Sequence, residues 1–211
     1  MLRVNEIFRS IQGESTFAGR LCVFIRLAGC NLRCSYCDTG YALEEGEDLP
    51  VEDVIKRAAA SGCPLIEVTG GEPLLQEDTV RLVRELADRG YTVLVETNGT
   101  LDISRLDPRA VLVMDVKCPS SGESDRMRWE NLASLKPEDE IKFVIGSPED
   151  YRWAKRIISD RIAPGRKILL SPVFGKVDPA DLAGWILRDN LSVRLQLQLQ
   201  KIIWPGRERG V

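Results

Sequence analysis

The chain has 211 residues, of which 44% are apolar and 29% charged, and its net charge is −3. That length suits one domain with a real hydrophobic core or two very small ones. The charge argues against a broad basic footprint for a nucleic-acid duplex and leaves room only for a local basic patch. No apolar run reaches the length of a membrane span, and the amino-terminal Met-Leu-Arg-Val-Asn-Glu lacks the apolar core of a signal peptide, so a cytoplasmic setting with reduced thiols is expected. The chain contains no histidine. Ser-His and Cys-His catalysis and every histidine-containing metal site are therefore excluded, which leaves Cys, carboxylates, Lys, Arg, Tyr or a cofactor to carry any chemistry.

In chain order, Cys22 to Leu27 reads as a buried strand with a cysteine-rich loop after it. Pro50 to Ser61 has helical spacing (Val51, Val54, Ile55, Ala58, Ala59) and stops at Gly62. Leu65 to Thr69 is a short strand running into Gly70-Gly71-Glu72-Pro73. Gln76 to Arg89 is a helix ended by Gly90, and Thr92 to Glu96 is a strand ending in Thr97-Asn98-Gly99. Strands follow at Val111 to Val116 and Ile141 to Ile145, then a helix from Pro148 to about Ile158. The series ends with a strand at Lys167 to Leu170, a helix at Pro179 to Asp189 and an alternating strand at Arg194 to Gln200. In that last strand Leu195, Leu197 and Leu199 should pack under helices while Gln196, Gln198 and Gln200 face inward. Residues 119–128 read as a mobile loop.

Strands alternating with helices imply a parallel sheet of βαβ units. About six strands are too few for an eight-stranded closed barrel, so the expected α/β fold is a partial, open TIM-like barrel with few helices, formed by residues 1–211 as a single domain. The distinctive segments all sit where strands end: Cys30, then Gly70 to Pro73, then Glu96 to Gly99, then Asp115 to Lys117. In parallel α/β folds ligands bind at the carboxyl ends of the strands, so these four segments should form one rim.

Cys30, Cys34 and Cys37 lie within eight residues as Cys-x3-Cys-x2-Cys. A structural zinc site wants four ligands, usually in two separated pairs, and no second pair exists. Cys22, Cys63 and Cys118 are scattered; Cys118 could be a fourth ligand only by coincidence of folding. Three thiolates suit an iron–sulfur cube with one iron left open to a small chelating molecule.

This spacing, with Tyr36 just before the last cysteine and Gly70-Gly71-Glu72-Pro73 about 33 residues later, resembles the radical S-adenosylmethionine (SAM) superfamily. Residues 5–14, Asn-Glu-Ile-Phe-Arg-Ser-Ile-Gln-Gly-Glu, together with Phe24 to Cys30 and Cys37-Asp38-Thr39, resemble the 7-carboxy-7-deazaguanine synthase family. The resemblance spans the whole chain. It implies a [4Fe-4S] cluster on Cys30, Cys34 and Cys37, and SAM on the open iron. Reductive cleavage of SAM would then start a ring contraction of 6-carboxy-5,6,7,8-tetrahydropterin with loss of ammonia, in queuosine or related deazapurine biosynthesis.

The resemblance also distributes roles. Thr39 would contact Mg2+, which needs further oxygen ligands from the substrate carboxylate. Tyr36, Cys37, Asp38, Gly71, Glu72, Glu96, Asn98, Lys117, Cys118, Pro119 and Ser171 would meet SAM. Ile11, Gln12, Gly13, Glu14, Arg26, Thr69 and Gln200 would meet the pterin, Arg26 through its carboxylate. Many family members have histidine where this chain has Gln200, and a glutamine carries no proton at neutral pH. A flavodoxin or ferredoxin donor, a homodimer and no membrane or nucleic-acid partner complete the expectation. The alternatives are a glycyl-radical activating enzyme, against which Gln12 to Glu14 and Cys37 to Thr39 argue, and a non-catalytic metal-binding module.

Overall fold

The computed structural model describes residues 1–211. Its strands are β1 (Leu2–Ile11), β2 (Leu21–Leu27), β3 (Glu47–Leu49), β4 (Leu65–Gly70), β5 (Thr92–Thr97), β6 (Val111–Val116), β7 (Glu140–Ile145), β8 (Lys167–Pro172) and β9 (Arg194–Leu195). The helices are α1 (Val51–Ala59), α2 (Asp78–Asp88), α3 (Asn131–Ser134), α4 (Pro148–Arg161), α5 (Pro179–Arg188) and α6 (Leu199–Ile203). All strands join one sheet in the order β3-β1-β2-β4-β5-β6-β7-β8-β9. Pairing is parallel from β2 through β4 to β9, while β1 runs antiparallel to both β2 and β3. β3 and β9 are free edges, so the barrel is open as expected, although the sheet has nine strands where about six were expected. No helix is long and apolar enough to cross a membrane.

The two faces of the parallel strands carry different chemistry because side chains alternate. Ile25, Ile66, Val68, Val93, Val95, Met114, Ile141, Phe143, Ile168 and Leu170 are buried on the core side. Each such aliphatic burial is worth about 1.5–3 kcal/mol, so this layer supplies the cohesion. The intervening positions line the concave side: Arg26 is level with Thr69, and Asp115 with Lys142.

Three expectations are corrected. The amino-terminal strand β1 was read only as a motif; its register shifts between Val4 and Glu6, and that irregularity breaks the alternation that would have announced it. The expected strand at 194–200 shrinks to Arg194–Leu195 and gives way to α6, and Leu195 is 39% exposed rather than packed under a helix. The chain turns there because Leu199 N–H donates to Gly13 O at 3.1 Å. The 119–128 segment contains two 3₁₀ turns and is pinned: Ser120 N–H donates to Asp150 Oδ1 at 3.0 Å, and Ser121 O accepts from Ser35 N–H at 3.0 Å.

The ends of β2, β4 and β5 interlock. Gly71 N–H donates to Leu27 O at 3.1 Å, and Glu72 N–H donates to Gly29 O at 2.8 Å. A Cβ on Gly71 would stand 2.1 Å from Gly29 O, so only glycine permits this approach. The buried Glu72 carboxylate accepts from Leu74 N–H at 3.0 Å, Thr97 Oγ1–H at 2.9 Å and Asn98 N–H at 2.6 Å. Gly71→Ala puts a methyl against a backbone oxygen that no rotamer can move. It should destabilise the protein by on the order of 1–3 kcal/mol, read as a lower urea midpoint at unchanged slope.

Candidate active site

A cavity of about 450 Å3 opens at the carboxyl ends of the strands and runs down the concave face. That volume is in the range of small-molecule sites. Its upper wall is the loop after β2, which carries Cys30, Cys34 and Cys37. Asn98 Nδ2–H donates to Asn31 Oδ1 at 3.0 Å and lies 3.8 Å from Cys30 Sγ, and Leu32 N–H approaches the same sulfur at 3.4 Å. Arg33 N–H donates to Glu123 Oε1 at 2.7 Å, Ser35 Oγ–H to Ser120 O at 2.6 Å, and Tyr36 O–H to Val144 O at 3.3 Å. The loop is thus fixed from three sides before any ligand arrives.

The thiols do not converge on one point as a mononuclear site would require. Their chemistry fits an iron–sulfur cluster: three soft donors in one loop on a cavity wall, with Cys118 fully buried outside that wall. Burial pushes the Cys30 and Cys34 thiols up, and metal coordination is what would take their protons.

The lower part of the cavity is a charge cluster. Lys142 on β7, with 6% of its side chain exposed, contacts Glu14 Oε2 at 3.0 Å, Asp115 Oδ2 at 3.8 Å and, more closely, Glu96 Oε1. Burial works against its charge, but Glu14, Glu96 and Asp115 outweigh burial and hold it well above the usual lysine range. Lys117 pairs with Asp115 Oδ2 at 2.8 Å. Glu96 Oε2 accepts from Thr69 Oγ1–H at 3.0 Å.

Glu14 is a hub. Gln198 and Gln200 each donate an amide N–H to Oε1 at 3.0 Å, and Gln196 donates to Oε2 at 3.1 Å beside Lys142. The alternating glutamines of the carboxyl-terminal segment therefore do face inward, and Glu14 is what they reach. Two donors on each oxygen fill a carboxylate's acceptor sites. Gln200 Oε1 has no partner and sits where a Cβ on Gly13 would lie, at 1.8 Å from it. Gln200 is thus a strut for Glu14.

At the rim, Arg26 Nε–H donates to Glu6 Oε1 at 2.8 Å, and its guanidinium lies 5.8 Å from the Phe8 ring centre. Tyr41 O–H donates to the same Glu6 oxygen at 3.0 Å, and Gly210 N–H donates to Glu6 Oε2 at 3.2 Å. Thr39 Oγ1–H donates to Asp38 Oδ1 at 3.1 Å, and Lys201 pairs with Asp38 Oδ2 at 3.2 Å. Arg207, Glu208 and Val211 of the tail lie over the cavity.

Of the sequence-predicted site residues, Ile11, Gln12, Gly13, Glu14, Arg26, Cys30, Cys34, Tyr36, Cys37, Asp38, Thr39, Thr69, Gly71, Glu96, Asn98, Lys117, Ser171 and Gln200 line this one cavity. Glu72, Cys118 and Pro119 do not; Glu72 acts from behind, through the strand-end interlock. The sequence reading missed Glu6, Glu67 and Lys142. A signal existed for the last two: Glu67 is the single charged residue of β4, and Lys142 is an inward charge between the apolar Ile141 and Phe143 of β7.

The radical SAM superfamily profile matches residues 24–114. A protein from Chlorobaculum tepidum described as 7-carboxy-7-deazaguanine synthase is 49% identical over all of this chain and 97% of its own length. The chain belongs to the 7-carboxy-7-deazaguanine synthase family. A second member, from Koribacter versatilis, is 41% identical with both chains fully covered. The crystal structure of QueE from Escherichia coli superimposes with a TM-score of 0.78 at 25% identity over 93% of each chain. The chain is therefore a radical SAM enzyme, and its cofactors are a [4Fe-4S] cluster and SAM. Membership in the synthase family explains a cavity that joins a three-thiol wall to a polar lumen.

The lumen charges hold one another in place. A buried ion pair adds little net stability, because desolvation offsets attraction, but removing one partner strands the rest. Lys142→Met leaves Glu14, Glu96 and Asp115 facing one another without their shared cation. It should cost about 3–5 kcal/mol in the urea unfolding free energy.

Proposed function

We propose that this chain converts 6-carboxy-5,6,7,8-tetrahydropterin to 7-carboxy-7-deazaguanine with loss of ammonia, as a step of queuosine or related deazapurine biosynthesis. One observation carries the reading: the cysteine loop and a lumen rich in hydrogen-bonding groups share a single cavity, in a chain aligned end to end with named synthases. The reaction is a ring contraction in which one ammonia leaves and no outside oxidant is consumed. Bound cluster and SAM supply the hydrogen-atom abstraction that starts it. Cys30, Cys34 and Cys37 hold the cluster, and Tyr36, Asp38, Gly71, Asn98, Lys117 and Ser171 form the SAM-facing wall.

The chain's other residues bind and orient the pterin. Arg26 spends Nε on Glu6 and has both terminal nitrogens without protein partners, a fork suited to a carboxylate. Thr39 stands beside Asp38 and would hold a magnesium ion, whose remaining oxygens would have to come from the substrate carboxylate and water. Gln12, Glu14 and Thr69 face the ring, and so does Glu96, which the sequence assigns to SAM but which bonds Thr69 and Lys142 in the lumen. Gln200 positions Glu14 and carries no proton, so proton movement in the ammonia-releasing step falls to the lumen carboxyls or solvent.

Anaerobic reconstitution with iron, sulfide, SAM, reductant, Mg2+ and carboxytetrahydropterin should yield carboxydeazaguanine and ammonia in equal amounts. A loaded cluster that cleaves SAM but forms no deazapurine overturns the assignment. Thr39→Ala should keep its cluster and lose most of the magnesium dependence of the rate; an unchanged magnesium response removes Thr39 from the metal site.

A further inference from the structure

The acidic side chains of the lumen are not equally occupied. Glu14 takes four donors, Glu96 takes Lys142 and Thr69, and Asp115 takes Lys117 on one oxygen while its other oxygen is sealed from solvent. Glu67, one inward position deeper on β4 than Thr69, accepts from Gln12 Nε2–H through Oε2 only. Its Oε1 has no partner and is not among the sealed atoms, and the residue lines the cavity. No cation is bonded to it: Lys142 is shared by three carboxylates, and Arg26 pairs with Glu6.

An acceptor-rich floor with no cation on Glu67 suits a ligand that brings donors. The aminopyrimidinone edge of a pterin offers two adjacent N–H groups, from the ring and from the exocyclic amine. Their spacing matches a carboxylate accepting in bidentate fashion. The pterin's own carboxylate lies at the other end of the molecule, toward Arg26 and Thr39 at the rim. We propose that Glu67 is a specificity-determining residue whose carboxylate receives the two N–H donors of the substrate's aminopyrimidinone edge. The inference rests on the pterin reading given above.

A proton accompanies the contact. Burial, with Glu96 on β5 and Glu14 on the amino-terminal loop close by, holds the Glu67 carboxyl well above the usual range, against Lys142 on β7 and Arg26 on β2. In the free site the balance is thus shifted toward the protonated carboxyl. Two N–H donors favour the charged form. Substrate binding thus draws the group back toward carboxylate, and the proton it gives up leaves to solvent.

The test uses cluster-loaded enzyme with SAM and no reductant, so that the pterin binds without turnover. Calorimetric titration at pH 7 in two buffers of different ionisation enthalpy should show net proton release on pterin binding by the wild type. Glu67→Gln, which is isosteric and can still accept from Gln12, should release none. In turnover assays it should raise the pterin KM at least tenfold, with kcat within a few-fold and SAM affinity unchanged. An unchanged pterin KM in Glu67→Gln overturns the inference whatever the proton count. A wild type that fails to bind the pterin at all sinks the substrate reading and this inference with it, whereas wild-type binding with an unaffected variant sinks Glu67 alone.

Discussion

The buried carboxylate of Glu72 holds three strand ends in one place. Its two oxygens take the amides of Leu74 and Asn98 and the hydroxyl of Thr97, while its own amide reaches Gly29 in the cysteine loop. Burial pushes this carboxyl up, and the Asn98 and Leu74 amides and the Thr97 hydroxyl pull the other way. An acceptor so deeply buried is tolerated only because each donor is in place. Asn98, set by this contact, in turn bridges to Asn31 and Cys30. The position of the cluster loop over the lumen is therefore decided by a side chain that never reaches the cavity.

Beneath that interlock, each parallel strand works in two directions. The core-facing positions bury aliphatic side chains and supply stability, while the concave positions bury charges and give some of it back. Glu67 apart, the charges are paired: Lys142 among three carboxylates, Asp115 with Lys117, Arg26 with Glu6. Glu14 extends the arrangement across the open side of the barrel, where three glutamines from the carboxyl-terminal segment meet it. The open sheet is thus closed over its lumen by side-chain hydrogen bonds in place of a further pair of strands.

The parallel core was legible because strand and helix periodicities alternate cleanly from Cys22 to Asp189. The rim was legible because its segments fall at strand ends. β1 was not, since its register shift breaks the period, and neither was the end of the chain, where glutamine hydrogen bonds to Glu14 outweigh strand pairing. Gly70-Gly71 illustrates a subtler gap. Gly71 is expected to meet SAM, yet a Cβ at either position would meet the backbone of residues 27–29, so the motif first serves the fold. Lys142 and Glu67 escape the sequence reading although Arg26, likewise a charge between apolar strand neighbours, does not. The difference is that a family motif covered Arg26; the partners that make the other two meaningful come from strands far away in sequence.

Glu72→Gln tests the interlock most directly, because the amide keeps the shape and turns one acceptor into a donor facing a donor. Iron, labile sulfide and the urea midpoint would be measured on wild-type and variant protein reconstituted side by side without oxygen. The account predicts a loss of about 1–3 kcal/mol in stability together with substoichiometric cluster in the variant. Wild-type stability with a full complement of iron and sulfide would contradict it.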